Sequence, residues 1–193
     1  MTGIEIKDRL RYRMEDPNGD DFTSSQIANA LNNAQTMIVN HISEEHITEL
    51  IKTDKNVSTS ERERNGSFRY IDYGDLSETQ PKRFLKIYCE TVGEYARIIP
   101  YAQFDQNSTY AYGTIATVHA GQITVSATCL SATVDYLYTP KIGIDSTAHP
   151  FPERLMPIML DLAEAELWRA DNKGDRATTV YGNAISQIGI LSQ

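Results

Sequence analysis

Helical periodicity at both ends of the chain, with strand periodicity between them, is what most limits the folds open to this sequence. Near the N-terminal end, Thr23 stands three residues before Gln26, the spacing of a capping box, and Phe22 is placed to staple onto Ile27. Apolar residues then recur at Ile27, Leu31, Ala34, Ile38 and Ile42, with Ala30 and Met37 widening the stripe, so the spacing predicts an amphipathic helix of several turns. A shorter helix is expected over 3–15, carried by Ile6 and Leu10 and ended by Pro17 and Gly19. At the other end, 153–170 is apolar nearly all round, which places a helix in the middle of other helices, with Pro157 delaying or bending its start. Asp171-Asn-Lys-Gly174 reads as a turn with Gly174 left-handed. A last helix from Asp175 follows, striped by Ala177, Val180, Tyr181, Ala184, Ile185, Ile188 and Leu191, and the two pack as a hairpin.

The middle differs. Residues 52–67 hold almost no large apolar side chain, too little to offset the entropy of ordering, so a mobile polar loop is expected there. Between 68 and 140, runs rich in Val, Ile, Thr and Tyr are separated by Gly, Asn and Ser, which predicts five or six short strands in a small antiparallel sheet. His119-Ala-Gly-Gln122 reads as a hairpin turn, and 101–107 as a short helical turn. The expected fold is therefore α+β: an antiparallel helical bundle formed by the N- and C-terminal helices (1–51 and 141–193), carrying a β-rich insertion (68–140).

Composition narrows the functions. A chain of 193 residues fits one domain, or one with a sizeable insertion. A formal charge of −8 excludes a generic nucleic-acid binder, which needs a basic face to displace counterions from phosphate. No apolar run approaches bilayer length and the charged start does not read as a signal peptide, so a soluble intracellular protein is expected. In that setting Cys89 and Cys129 are expected as buried free thiols. The sequons at Asn56, Asn65 and Asn107 then mark polar loops only.

Chemistry-bearing motifs are scarce. Asp16-x-Asn18-x-Asp20 fails as a calcium loop because Asp21 stands where Gly is needed and Ile27 where a bidentate Glu is needed. His41 and His46 are five apart, which turns them away from each other on a helix, and His119 and His149 lack a partner in sequence. Glu164 and Glu166 read as a polar seam toward solvent or a neighbouring chain, with Arg169 or Arg154 as partners. No nucleophile elbow, phosphate loop or dinucleotide fingerprint is present, so no enzyme, metal or cofactor is expected. The packing candidates are Ile27, Leu31, Ile38, Leu162, Trp168, Tyr181 and Ile185. Tyr110, Tyr112, Arg62 and Arg64 are the candidate interface residues.

The segments Asp8-Arg-Leu-Arg-Tyr-Arg-Met-Glu-Asp16, Phe22-Thr-Ser-Ser-Gln-Ile27 and Leu31-Asn-Asn-Ala-Gln35 resemble the opening of tailed-bacteriophage head-to-tail adaptor (connector) proteins. Tyr136-Leu-Tyr-Thr-Pro140 and Leu160-Asp-Leu-Ala-Glu-Ala-Glu-Leu-Trp-Arg-Ala-Asp171, before a Gly turn and a final helix, resemble their closing hairpin. The resemblance implies a structural virion protein without enzymatic activity. It would form a ring, typically of twelve copies, joining the capsid portal to tail or nozzle proteins and extending the channel through which viral DNA passes. The helices would form the ring wall, and the β-rich part would project toward the tail or a neighbouring subunit. Net charge is −5 over 1–50, −2 over 151–193 and zero over 81–150, and an acidic wall would repel phosphate and let DNA slide. A tail-completion or tail-tube subunit is the alternative within a virion. A soluble enzyme or ligand-binding domain is the alternative outside one and would need a pocket of convergent polar groups.

Overall fold

The computed structural model describes residues 1–61, 68–78, 81–107, 113–142 and 148–192. Among them are five α-helices and nine strands: α1 Gly3–Arg13, α2 Ser24–His41, β1 Ile51–Ser58, β2 Ser60–Glu61, β3 Phe68–Asp72, β4 Pro81–Cys89, β5 Glu94–Tyr95, β6 Arg97–Ile98, α3 Tyr101–Asn107, β7 Ile115–His119, β8 Gln122–Ser126, β9 Ser131–Tyr138, α4 Met156–Ala170 and α5 Gly174–Leu191. The chain divides into two compact units, one of Met1–Leu50 with Thr139–Gln193 and one of Ile51–Tyr138.

The expected antiparallel bundle of terminal helices with a β insertion is not the fold. The molecule is α+β, but its helices are scattered along the chain, α3 lies among the strands, and the strand-rich part has a core of its own. The cause is burial. Ile71, Ile87, Ala116, Ile123, Val125, Ala132, Val134 and Tyr136, drawn from both sheets, pack on one another and need no helix to cover them.

In the helical unit, the capping box predicted at Thr23 forms: Gln26 N–H donates to Thr23 Oγ1, and Thr23 N–H donates to the Gln26 side chain at 2.8 Å. Thr2 and Glu5 make a second one at the start of α1. The α2 face of Ile27, Leu31, Ala34, Ile38 and Val39 is buried. α2 packs on α4, α4 on α5, and α1 meets α2 and α4 over a smaller surface. Two 3-10 turns, Glu44–His46 and Thr48–Leu50, lead out of α2 and bury Ile47 and Leu50. The left-handed residue of the α4–α5 turn is Asn172 (φ 59°), not Gly174, which opens α5. Asn tolerates that conformation better than most residues.

In the strand unit one sheet has the order β1-β9-β4-β5 and the other β2-β3-β8-β7-β6, so the single small sheet expected from sequence is two. Pairing is antiparallel except for β6 with β7, which is parallel. The β7–β8 hairpin turns at Ala120 (φ 49°) and Gly121 (φ 80°), the paired left-handed residues such a tight turn requires. Of the mobile loop expected over 52–67, residues 52–58 and 60–61 are in strands instead, and 62–67 lie outside the described residues. β1 pairs with β9 from Ile51↔Leu137 to Ser58↔Ser131, with a register shift between Asp54 and Val57 where Asn56 is left-handed. Backbone hydrogen bonds hold an edge strand without an apolar side-chain pattern, which is why composition misled here.

Cys89 and Cys129 are joined by a disulfide, with Cα atoms 5.4 Å apart, and are not the free thiols expected. Cys89 ends β4, and Cys129 lies in the connection from β8 of one sheet to β9 of the other. The fold brings together two residues that sequence separates by 40.

Candidate assembly surface on the helical unit

α4 and α5 are joined by the Asp171–Lys173 turn yet have opposite surfaces. Ten of the 15 residues of α4 are buried, whereas α5 buries only Ala177, Ala184 and Ile188 of its 18. From Ala177 to the last residue of the sequence there is no Asp, Glu, Lys, Arg or His. Beyond Arg176, α5 thus presents water with an uncharged and partly apolar surface, Ile185 exposed on one flank of the buried line and Ile190, 72% exposed, on the other.

The polar groups on that surface are partly spent inside the helix. Thr178 Oγ1 donates to Gly174 O at 2.8 Å, Thr179 Oγ1 to Asp175 O at 3.2 Å and Ser186 Oγ to Gly182 O at 2.9 Å. Covering the surface therefore strips less hydration than its Ser and Thr content implies. A Cβ placed on Gly182 or Gly189 would meet nothing within 4 Å, so neither glycine is required by a contact within the chain.

The base of the hairpin is fixed by aromatic and ionic contacts. Trp168 is buried, and its Nε1–H donates to Glu164 Oε1 at 3.1 Å. Lys173 Nζ lies 4.4 Å and the Arg176 guanidinium 4.2 Å from the indole centroid, and Arg169 lies 4.4 Å from the Tyr181 ring. Arg13 of α1 reaches Asp161 at 2.6 Å and Glu164 at 3.5 Å, and Asn33 of α2 donates to Glu166 at 2.8 Å. The acidic seam on α4 thus faces partners in its own chain. Arg169 takes the Tyr181 ring and Arg154 pairs with Glu49 at 2.6 Å, so neither serves Glu164 or Glu166 as expected from sequence.

The candidates singled out from sequence separate clearly. Ile27, Leu31, Ile38, Leu162 and Trp168 are buried within one chain, which removes them from any contact between copies. Tyr181 is half-buried beneath Arg169, and Ile185 alone of the seven is exposed. Tyr110, Tyr112, Arg62 and Arg64 lie outside the described residues. Sequence reasoning passed over Ile190 and the charge-free run. The signal was present as the absence of any charge after Arg176 on a helix whose other apolar stripe already accounted for its burial.

Polar clusters elsewhere read as structural. Asp16 accepts N–H bonds from Asp20 (2.7 Å), Asp21 and Phe22 (3.0 Å) and meets Arg11 at 3.3 Å. Desolvation raises its pKa, but those backbone bonds and Arg11 together prevail and hold it below the usual range. This carboxylate ties the α1–α2 turn. In the strand unit Asp54 accepts from Tyr136 Oη at 2.8 Å, from Ser77 N–H at 2.8 Å and from Ser77 Oγ, while Glu78 N–H donates to Tyr136 Oη at 3.0 Å. Burial raises Asp54, but the Ser77 and Tyr136 bonds with Lys52 lower it overall, and burial first and Asp54 second push the Tyr136 phenol up. An ionised carboxylate beside a protonated phenol is a static cross-link at neutral pH. Among the described residues no group of three or more His, Cys, Asp or Glu is placed to hold a metal, and no helix is long and apolar enough to cross a membrane.

Matched against protein-family models, the chain gives no hit, and matched against curated proteins it finds no significant relative.

Proposed function

We propose that this chain is a structural virion protein of a tailed bacteriophage, an adaptor at the head-to-tail junction that acts by assembling with copies of itself. The observation that carries the reading is α5: a long helix with three buried residues, no charge beyond Arg176, and Ile185 and Ile190 exposed on opposite flanks of its buried line. Interface centres are depleted in charge, and a helix surface of that kind gains more from a protein partner than from water. The resemblance of residues 8–40 and 134–190 to connector proteins supplies the kind of assembly: a ring, of twelve copies in that family, seated on the portal and presenting a surface to tail proteins. In this reading DNA passes without sequence-specific contact, and the net negative charge of both segments of the helical unit keeps phosphate from adhering.

The test is direct. Purified chain is mixed with portal particles and imaged with a label on the chain, alongside Ile185→Asp and Ile190→Asp variants. The expected result is a ring at the portal vertex for the parent chain and loss of the ring, with unchanged helicity, for the variants. A chain that never joins the particle sinks the proposal. A label along the tail or at its far end would favour the tail-tube or tail-completion alternative, and a ring whose channel is lined mainly by Lys and Arg would overturn the account of DNA passage.

A further inference from the structure

The disulfide has properties that point beyond a simple cross-link. Both sulfurs belong to fully buried residues packed among Ile87, Ala132, Val134 and their neighbours, where dissolved thiols and disulfides do not reach them while the fold is closed. Both positions are also set by bonds that do not involve sulfur. Cys89 is paired in register with Ala132, and its carbonyl accepts from Gly93 N–H at 2.8 Å. Cys129 N–H donates to Ser126 O at 3.0 Å, and its carbonyl accepts from Thr59 Oγ1 at 2.6 Å. Thr59 N–H donates to Leu130 O, and Leu130 N–H donates to Thr91 Oγ1 at 3.1 Å, so the turns on either side are laced together over the bridge. The folded backbone therefore holds the two sulfurs facing each other whether or not they are bonded.

We propose that Cys89 and Cys129 form a one-way redox latch: the strand unit folds with two thiols, is closed by exchange with a small-molecule disulfide, and then shields the bridge from reductants. One cysteine thiolate attacks glutathione disulfide and expels one glutathione thiolate. The second thiolate then attacks the protein sulfur of the mixed disulfide and expels the other. Two protein S–H bonds are lost, one S–S bond forms, and the two electrons reduce glutathione disulfide to two glutathiones. Glutathione disulfide, like a reducing thiolate, reaches a sulfur only when the Thr91 and Leu130 turns open; the unbridged unit opens more often than the bridged one, and preorganisation favours the second step, so closure outruns reversal. The locked element is the crossing point between the two sheets, and the closed loop spans 40 residues. The latch holds whether or not the chain assembles.

The experiment uses the full chain, refolded under dithiothreitol and then incubated with glutathione disulfide. Intact mass is expected to fall by about 2 Da, the loss of two hydrogens. The bridged protein is expected to melt ~10 °C above the reduced protein, the shift that closing a loop of this length implies. Dithiothreitol is expected to leave the bridge intact for hours in native buffer and to open it within minutes in urea. A Cys89→Ser/Cys129→Ser variant should melt with the reduced protein and ignore glutathione disulfide. If that variant fails to fold, the reduced parent chain supplies the same reference. Thiols that persist after oxidation, bridged and reduced forms that melt together, or equal reduction rates in native buffer and urea would each overturn the latch.

Discussion

α4 and α5 are neighbours in sequence and in space, and they show two ways for a helix to exist. α4 is held by its own chain: ten buried residues, with Asp161, Glu164 and Glu166 each paired to α1 or α2. α5 is held along one narrow line and by the cations stacked on Trp168 and Tyr181 at its start. The lesson is that an apolar stripe does not say how much of a helix is buried. What separates the two is the remainder of the surface, where α4 carries paired carboxylates and α5, beyond Arg176, carries no charge.

α4 and α5 are expected to differ most when a side chain is truncated. Leu162→Ala on α4 is expected to cost about 2–5 kcal/mol, because a buried leucine leaves a cavity behind. Ile190→Ala on α5 is expected to change stability by under about 0.5 kcal/mol. Urea titration of both variants checks the pair, and similar losses would mean that α5 is covered within its own chain. On α2, the Gln35 amide is fully buried with no hydrogen-bond partner on either polar atom. Gln35→Met is expected to stabilise by roughly 1 kcal/mol, read as a higher denaturation midpoint, since an unsatisfied buried amide bears a desolvation penalty. Gly182→Ala and Gly189→Ala sharpen the contrast in the opposite sense. Each added methyl meets open space and raises helix propensity, so each is expected to stabilise the isolated chain by ~0.5–1 kcal/mol and to weaken any association that brings a second backbone close. Thermal melts at dilute concentration and sedimentation at high concentration separate the two effects.

The smallest effect expected is ionic. Hydrogen bonds from Arg154 lower the Glu49 pKa to about 2 from an ordinary 4.5. A depressed carboxylate stabilises the fold above the unfolded pKa, so its contribution is complete above about pH 4.5 and fades as pH falls toward 2. The pair is half exposed and screened by solvent, so Glu49→Gln should flatten the acid limb of a stability-versus-pH curve only slightly.

Much of the helical unit was legible because its signals are local. Thr23 with Gln26, the Ile27–Ile38 stripe, and the turn after Ala170 each need only a few neighbouring residues to be read. Partners in the strand unit are far apart. Nothing near Lys52–Ser58 announces a strand, because its pairing depends on β9 some eighty residues later. The same distance hid the disulfide and the second sheet. For the candidate surface, periodicity identified the buried line of α5 at Ala177, Ala184 and Ile188. It ranked Tyr181 and Ile185 alongside true core positions, because spacing alone does not reveal which apolar stripe finds a partner.

The helical unit is assembled from both chain ends, with the whole strand unit encoded between them. On the ribosome, the greasy side of α2 emerges more than a hundred residues ahead of α4, its eventual cover. At ~5–20 residues per second that is a wait of roughly 5–20 s. During translation this helix is thus a natural ligand for a chaperone, and the strand unit is free to finish folding before the helices encoded on either side of it can.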